Sequence, residues 1–97
     1  MKVTRQSLQQ QREAILEIAQ RYGAHDLRIF GSVARGDNNE ASDLDILVRF
    51  DSGRTLLDHA GLIGELEDLL GVRVDVIDAD GARPRFRAVV ERESLPL

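Results

Sequence analysis

The spacing of apolar residues changes period several times along the chain, and each change predicts an element. Leu8, Ile15, Ile18, Ala19 and Tyr22 recur near helical spacing, so Thr4 to Tyr22 reads as one amphipathic helix, capped by Thr4 and stopped by Gly23. Leu27 to Phe30 is a short strand. Gly31 to Gly36 is a glycine-bounded loop with room for one helical turn, and Asp37 to Ser42 is polar and loop-like. Asp43 to Phe50 alternates cleanly: Leu44, Ile46 and Val48 share one face, and Asp43, Asp45, Leu47 and Arg49 the other. A second helix is expected from Thr55 to Leu70, with Leu56, Ala60, Ile63, Leu66 and Leu70 on its apolar stripe. Gly61 and Gly64 lie inside it, either to allow close packing or as tolerated costs of about 1 kcal/mol each. Arg73 to Ile77 is a third strand, with Val72, Val74 and Val76 opposite Arg73, Asp75 and Ile77. A last helix runs from Pro84 to Arg92. The order predicts an α/β (α+β) domain, a small sheet with helices packed mainly on one face and the other partly open.

Composition narrows the class. Ninety-seven residues with 42% hydrophobic content support one modest core, which predicts a single domain over 1–97 with no separate substrate domain. Any large ligand then sits in an open groove. There is no cysteine, which removes disulfides, thiolate zinc sites and cysteine nucleophiles. No apolar run reaches the roughly 18 residues of a membrane span, and no signal-peptide core opens the chain. A net charge of −4 argues against a general nucleic-acid coat. The expectation is a cytoplasmic protein with no membrane and no direct nucleic-acid partner.

The chemistry concentrates in Gly31-Ser32-Val33-Ala34-Arg35-Gly36 and Ser42-Asp43-Leu44-Asp45. Asp43 and Asp45 project from one strand face, and like charges so close repel unless a cation lies between them. Hard oxygen ligands suit Mg²⁺, which takes one or two carboxylates and completes its shell with water and phosphate. Asp75, opposite the valines of the third strand, would complete the cluster, and three carboxylates on one face fit a two-metal site for phosphoryl or nucleotidyl transfer. Gly31 lets a phosphate approach the backbone, Ser32 and the loop N–H groups can hold triphosphate oxygens, and Arg35 can neutralise further charge. Singly, a Gly-Ser after a strand is usually a turn, and an Asp-x-Asp is often a solvated strand start. The joint spacing is what points to a metal–nucleotide site.

Those two segments, with Val74-Asp75-Val76 and the ending Pro84-Arg85-Phe86-Arg87 through Glu91-Arg92-Glu93, resemble the DNA polymerase β-type nucleotidyltransferase superfamily. More narrowly, the chain is similar to its minimal nucleotidyltransferases over nearly its whole length. The resemblance implies a mixed sheet of the polymerase β type. It places Gly31 and Ser32 on the nucleotide triphosphate, with Arg35 and Ser42 counted among the nucleotide-binding residues. It places Asp43 and Asp45 on Mg²⁺, and Asp75 as the third carboxylate that helps bind metal and activate the incoming hydroxyl. The acidic link Asp78-Ala79-Asp80-Gly81-Ala82 departs from the more apolar one usual in such chains. The resemblance further implies a type VII-like antitoxin, with ATP as co-substrate. It would transfer AMP to a tyrosine of a HEPN-type ribonuclease toxin, alone or assembled with copies of itself or with the toxin. The alternatives are a stoichiometric antitoxin acting by contact alone, and a small-molecule nucleotidyltransferase, against which the lack of a second domain argues.

The last helix sets Phe86, Val89 and Val90 on one side among Arg83, Arg85, Arg87 and Arg92, suited to completing the core or to docking a partner. Arg54 and His59 have the Arg-x4-His spacing of HEPN nucleases. That motif needs an all-helical frame, so His59 is expected on the solvent side of its helix. His25 is expected in the loop before the first strand, without a role.

Overall fold

Thr4 opens the first helix with a reciprocal cap: its hydroxyl accepts from the Ser7 N–H at 3.0 Å, and the Ser7 hydroxyl accepts from the Thr4 N–H at 2.9 Å. The computed structural model describes residues 3–97. Where one helix is expected, two segments follow, α1 (Arg5–Gln10) and α2 (Arg12–Arg21). At Gln11 the N–H is shared between the carbonyls of Ser7 and Leu8, both at 3.2 Å, so the ladder bends rather than ends. Leu8, Ile15, Ile18 and Ala19 stay buried across the bend, as their spacing predicts.

Gly23, at φ +73°, turns the chain into β1 (Ala24–Phe30), which starts three residues before the expected strand and includes His25. A register shift between His25 and Arg28, with Asp26 at φ +52°, makes a bulge there and hides the alternation. After α3 (Gly31–Arg35) come β2 (Leu44–Phe50), α4 (Leu56–Leu70), β3 (Val74–Asp78), α5 (Pro84–Glu93) and β4 (Leu95–Pro96). The sheet order is β3-β2-β1-β4, with β2 and β3 parallel and the other pairs antiparallel. Three strands were readable in the sequence; β4 has two residues and no period to betray it.

The main core lies between α2, α4 and the sheet face carrying Leu44, Ile46 and Val48. On the opposite face Val90 of α5 packs with Leu47 and Ala79, flanked by Phe30 and Ile77. Val90 therefore completes a core, while Phe86 and Val89 stay exposed.

The α4 stripe differs from the expected one. Leu62 and Leu66 are fully buried, whereas Leu56 is 84% exposed and Ala60 also faces solvent. The helix is rotated so that two polar side chains reach the outer edge of β3. His59 is half-buried, its Nε2 2.8 Å from the Val76 carbonyl oxygen and its ring 5.4 Å from that of Phe50, rather than facing solvent. Glu67 accepts from the Val74 N–H at 3.0 Å. Of the two helix glycines, Gly61 is needed because a Cβ would run into the Tyr22 ring; Gly64 faces open space.

Candidate active site

Phe30 is the last residue of β1 and stands opposite Asp45 of β2. Immediately after it the chain turns at Gly31, φ +73°, into the single helical turn of α3. Any Cβ on Gly31 would collide with Oδ2 of Asp45. Glycine is thus required twice, for a left-handed backbone and for the approach of a carboxylate. Val33 and Ala34 anchor α3 in the core, and Gly36 ends it at φ +80°. Ser32 is half-buried. Arg35 is exposed, with its Nε donating to Asp37 at 3.1 Å.

The loop to β2 is fixed by polar side chains, among them Ser42 and Asn38. Ser42 closes a turn: its Oγ accepts from the Asn39 N–H at 3.0 Å, so its hydroxyl is engaged within the loop. Asn38 is buried and donates from Nδ2 to the Val3 carbonyl at 2.7 Å. The sequence carries no signal for that contact, since a lone Asn in a polar loop looks solvated.

Asp43 immediately precedes β2, and Asp45 lies two residues on, half-buried. Across the parallel pair Asp45 stands opposite Asp75, which is exposed. All three acids therefore share one sheet face, with Arg73 Nε 4.0 Å from Asp43 Oδ1. Burial raises the Asp45 carboxyl above the usual carboxylate range. The charges of Asp75 and Asp43 and a hydrogen bond with Asp75 push the same way, and Arg35 opposes them. Among the described residues, no three acidic or histidine side chains converge closely enough to enclose a metal ion by themselves. The donor set still fits Mg²⁺, which needs only one or two carboxylates and takes the rest of its shell from water and phosphate. A cation between Asp45 and its neighbours would relieve the repulsion that disfavours its ionised form.

A groove of about 540 Å³ lies elsewhere, at the β1–β4 edge, lined by Arg12, Asp26, Arg28, Arg49 and Glu91 over Leu16, Leu27 and Leu47. None of the predicted site residues lines it. The carboxylates sit instead on an open face.

Residues 9–96 match the family model described as a nucleotidyltransferase domain. The chain belongs to that family. This nucleotidyltransferase is 39% identical over 77 residues to the protein adenylyltransferase MntA of Thermococcus cleftensis, covering 79% of this chain and 78% of the relative. It is 40% identical over 81 residues to a Methanocaldococcus jannaschii relative that carries the name protein adenylyltransferase, covering 84% and 87%. A solved minimal nucleotidyltransferase superposes with a TM-score of 0.88 at 54% identity, over 98% of this chain and 97% of that one. A toxin–antitoxin structure containing AMP-PNP superposes with a TM-score of 0.75 over 87% and 69%; at 21% identity the likeness is one of fold. The mixed four-stranded sheet is thus the minimal nucleotidyltransferase fold. No helix among the described residues is long and apolar enough to cross a membrane.

Proposed function

We propose that this nucleotidyltransferase transfers AMP from ATP to a tyrosine hydroxyl of a partner toxin of the HEPN ribonuclease type, and so silences it. The observation that carries the reading is the register of Asp45 against Asp75, with Asp43 two residues away and the Gly31–Ser32 turn closing on Asp45. The names of its relatives and the nucleotide analogue in a toxin–antitoxin complex of the same fold support it. Asp43, Asp45 and Asp75 would hold Mg²⁺, which supplies charge neutralisation at the α-phosphate and at the leaving pyrophosphate. Gly31, Ser32 and Arg35 line the side toward which the triphosphate extends. Ser42 contributes by shaping the Asp43 turn. In the transfer, the hydroxyl oxygen bonds to the α-phosphorus as the bond to the bridging oxygen of pyrophosphate breaks. The proton lost by the hydroxyl goes to the Asp75 carboxylate and then to water. The protein would work in the cytoplasm as a single domain, with the acceptor bringing its own surface.

One observation favours contact-only neutralisation as a second reading: Leu56, Leu57, Phe86 and Val89 are 84%, 83%, 46% and 39% exposed. The test is incubation with Mg²⁺ and ATP labelled at the α-phosphate in lysate of the source organism, beside Asp43→Asn. A labelled protein band that disappears in the variant is the expected result. A band that survives Asp43→Asn refutes the assignment. Neutralisation of the toxin by Asp43→Asn at equal expression selects the contact reading.

A further inference from the structure

In-line transfer places the leaving pyrophosphate and the attacking hydroxyl on opposite sides of the α-phosphorus. The sheet gives those sides addresses. The Gly31–Ser32 turn follows β1, on one flank of β2, and β3 lies on the other flank. With the triphosphate on the β1 flank, the acceptor arrives over β3. Two arginines flank the carboxylates accordingly. Arg35 belongs to α3, on the leaving-group side, and is the cation whose charge opposes the rise of the Asp45 carboxyl. Arg73 immediately precedes β3, on the acceptor side.

Arg73 is placed there by the backbone. Its carbonyl accepts from the Leu44 N–H at 2.9 Å, and Val74 pairs with Leu44, so Arg73 and Asp75 project from the same face as Asp43 and Asp45. Its side chain is 85% exposed, and its one ion-pair partner among the described residues is Asp43 at 4.0 Å, beyond hydrogen-bond length. No hydrogen bond among the described residues holds the guanidinium. An exposed pair at that distance is weak, so little holds Arg73 where it stands. When cations take up the Asp43 charge, the guanidinium is left as a planar fork of donors at the mouth of the acceptor side, a geometry that matches a carboxylate.

We infer that Arg73 selects the acceptor, binding a carboxylate within two residues of the hydroxyl that receives AMP. The inference rests on the proposed nucleotidyl transfer and deepens it by naming the substrate class, a hydroxyl in an acidic peptide segment.

Two short peptides serve as probes, one with a central tyrosine flanked by glutamates and one with the same tyrosine flanked by lysines. Transfer from α-labelled ATP is followed at low salt and subsaturating peptide, with the KM for ATP measured alongside. The native chain should label the acidic peptide about fivefold faster, Arg73→Lys should keep that order, and Arg73→Glu should invert it. The KM for ATP should stay within about twofold throughout, because the triphosphate lies on the other flank. A merely structural role for Arg73, holding the Asp43 side chain, would slow both peptides equally. An unchanged preference in Arg73→Glu, or a change confined to the KM for ATP, overturns the inference. So does failure to label either peptide while Mg²⁺-dependent ATP binding is intact; the transfer reading then stands on its protein acceptor alone. Labelling that survives Asp43→Asn, or absence of Mg²⁺-dependent ATP binding in the native chain, sinks the transfer reading and this inference with it.

Discussion

Replacing Gly31 by alanine would add one methyl group at the point where the phosphate-side turn meets the acids, and two costs follow. The backbone at φ +73° is left-handed, which costs a residue with a Cβ about 1–2 kcal/mol. The new Cβ also collides with Oδ2 of Asp45, and overpacking of that kind costs about 1–3 kcal/mol. Asp45 is half-buried and can turn part of the way out, so the low end applies and the sum is about 2–3 kcal/mol. Gly36 supplies the control. Its φ is +80°, but a Cβ there meets nothing within 4 Å, so Gly36→Ala carries the backbone cost alone. The two variants should differ by about 1 kcal/mol in urea denaturation, or about 4–8 °C in Tm for a domain of this size. Only Gly31→Ala should also weaken Mg²⁺-dependent ATP binding, because only it displaces a carboxylate. Equal stability and equal binding in the two variants would refute the claim that the turn holds Asp45 in place.

Further outcomes follow from the same geometry. Asp45 binds its proton more tightly in the folded chain than in the unfolded one, so its contribution to stability falls as pH rises from the unfolded value of about 3.9 through the raised folded one. Asp45→Asn should therefore be more stable than the native chain at pH 7 without metal, with the gain shrinking toward pH 4, and inactive; an Asn variant less stable at pH 7 contradicts this. Leu62→Ala empties a fully buried position between α4 and the sheet and should cost about 2–5 kcal/mol by urea denaturation. Arg49 reaches Asp80 at 2.6 Å and Glu91 at 3.4 Å, joining β2 to the loop after β3 and to α5. Arg49→Ala should lower hydrogen-exchange protection in α5 at low salt, by about 0.5–1 kcal/mol at this half-exposed site, and the effect should fade in 0.5 M salt.

The acids were legible in the sequence because strand parity is a hard constraint. Asp43, Asp45 and Asp75 each alternate with residues that must face the core, and the structure puts all three on the opposite face. The turn at Gly31 was readable for a related reason, although the neighbour that excludes a side chain there is a carboxylate of the protein itself. Helix phase was harder. From Leu56 to Leu70 apolar residues occupy more than one stripe, and the choice among them was made by His59 and Glu67 bonding to backbone groups of β3, which periodicity does not register. The bulge at Asp26 obscured the start of β1, and β4 exists only through its pairing with the Leu27–Ile29 stretch of β1. Arg73 carries no functional signal in the sequence beyond its strand face, because a charged residue at the start of a strand reads as solvated until its neighbour across the sheet is known.

The two sheet margins bear on how this chain keeps company with others. At one, α4 side chains occupy the Val74 N–H and the Val76 carbonyl; at the other, a two-residue strand ends in Pro96, which has no N–H to offer. A stray strand from a neighbouring molecule finds little backbone to zip onto at either margin. The sheet is thereby guarded against open-ended polymerisation at high concentration, and association is directed to helix faces and to the carboxylate face, where side chains rather than main chain decide who binds.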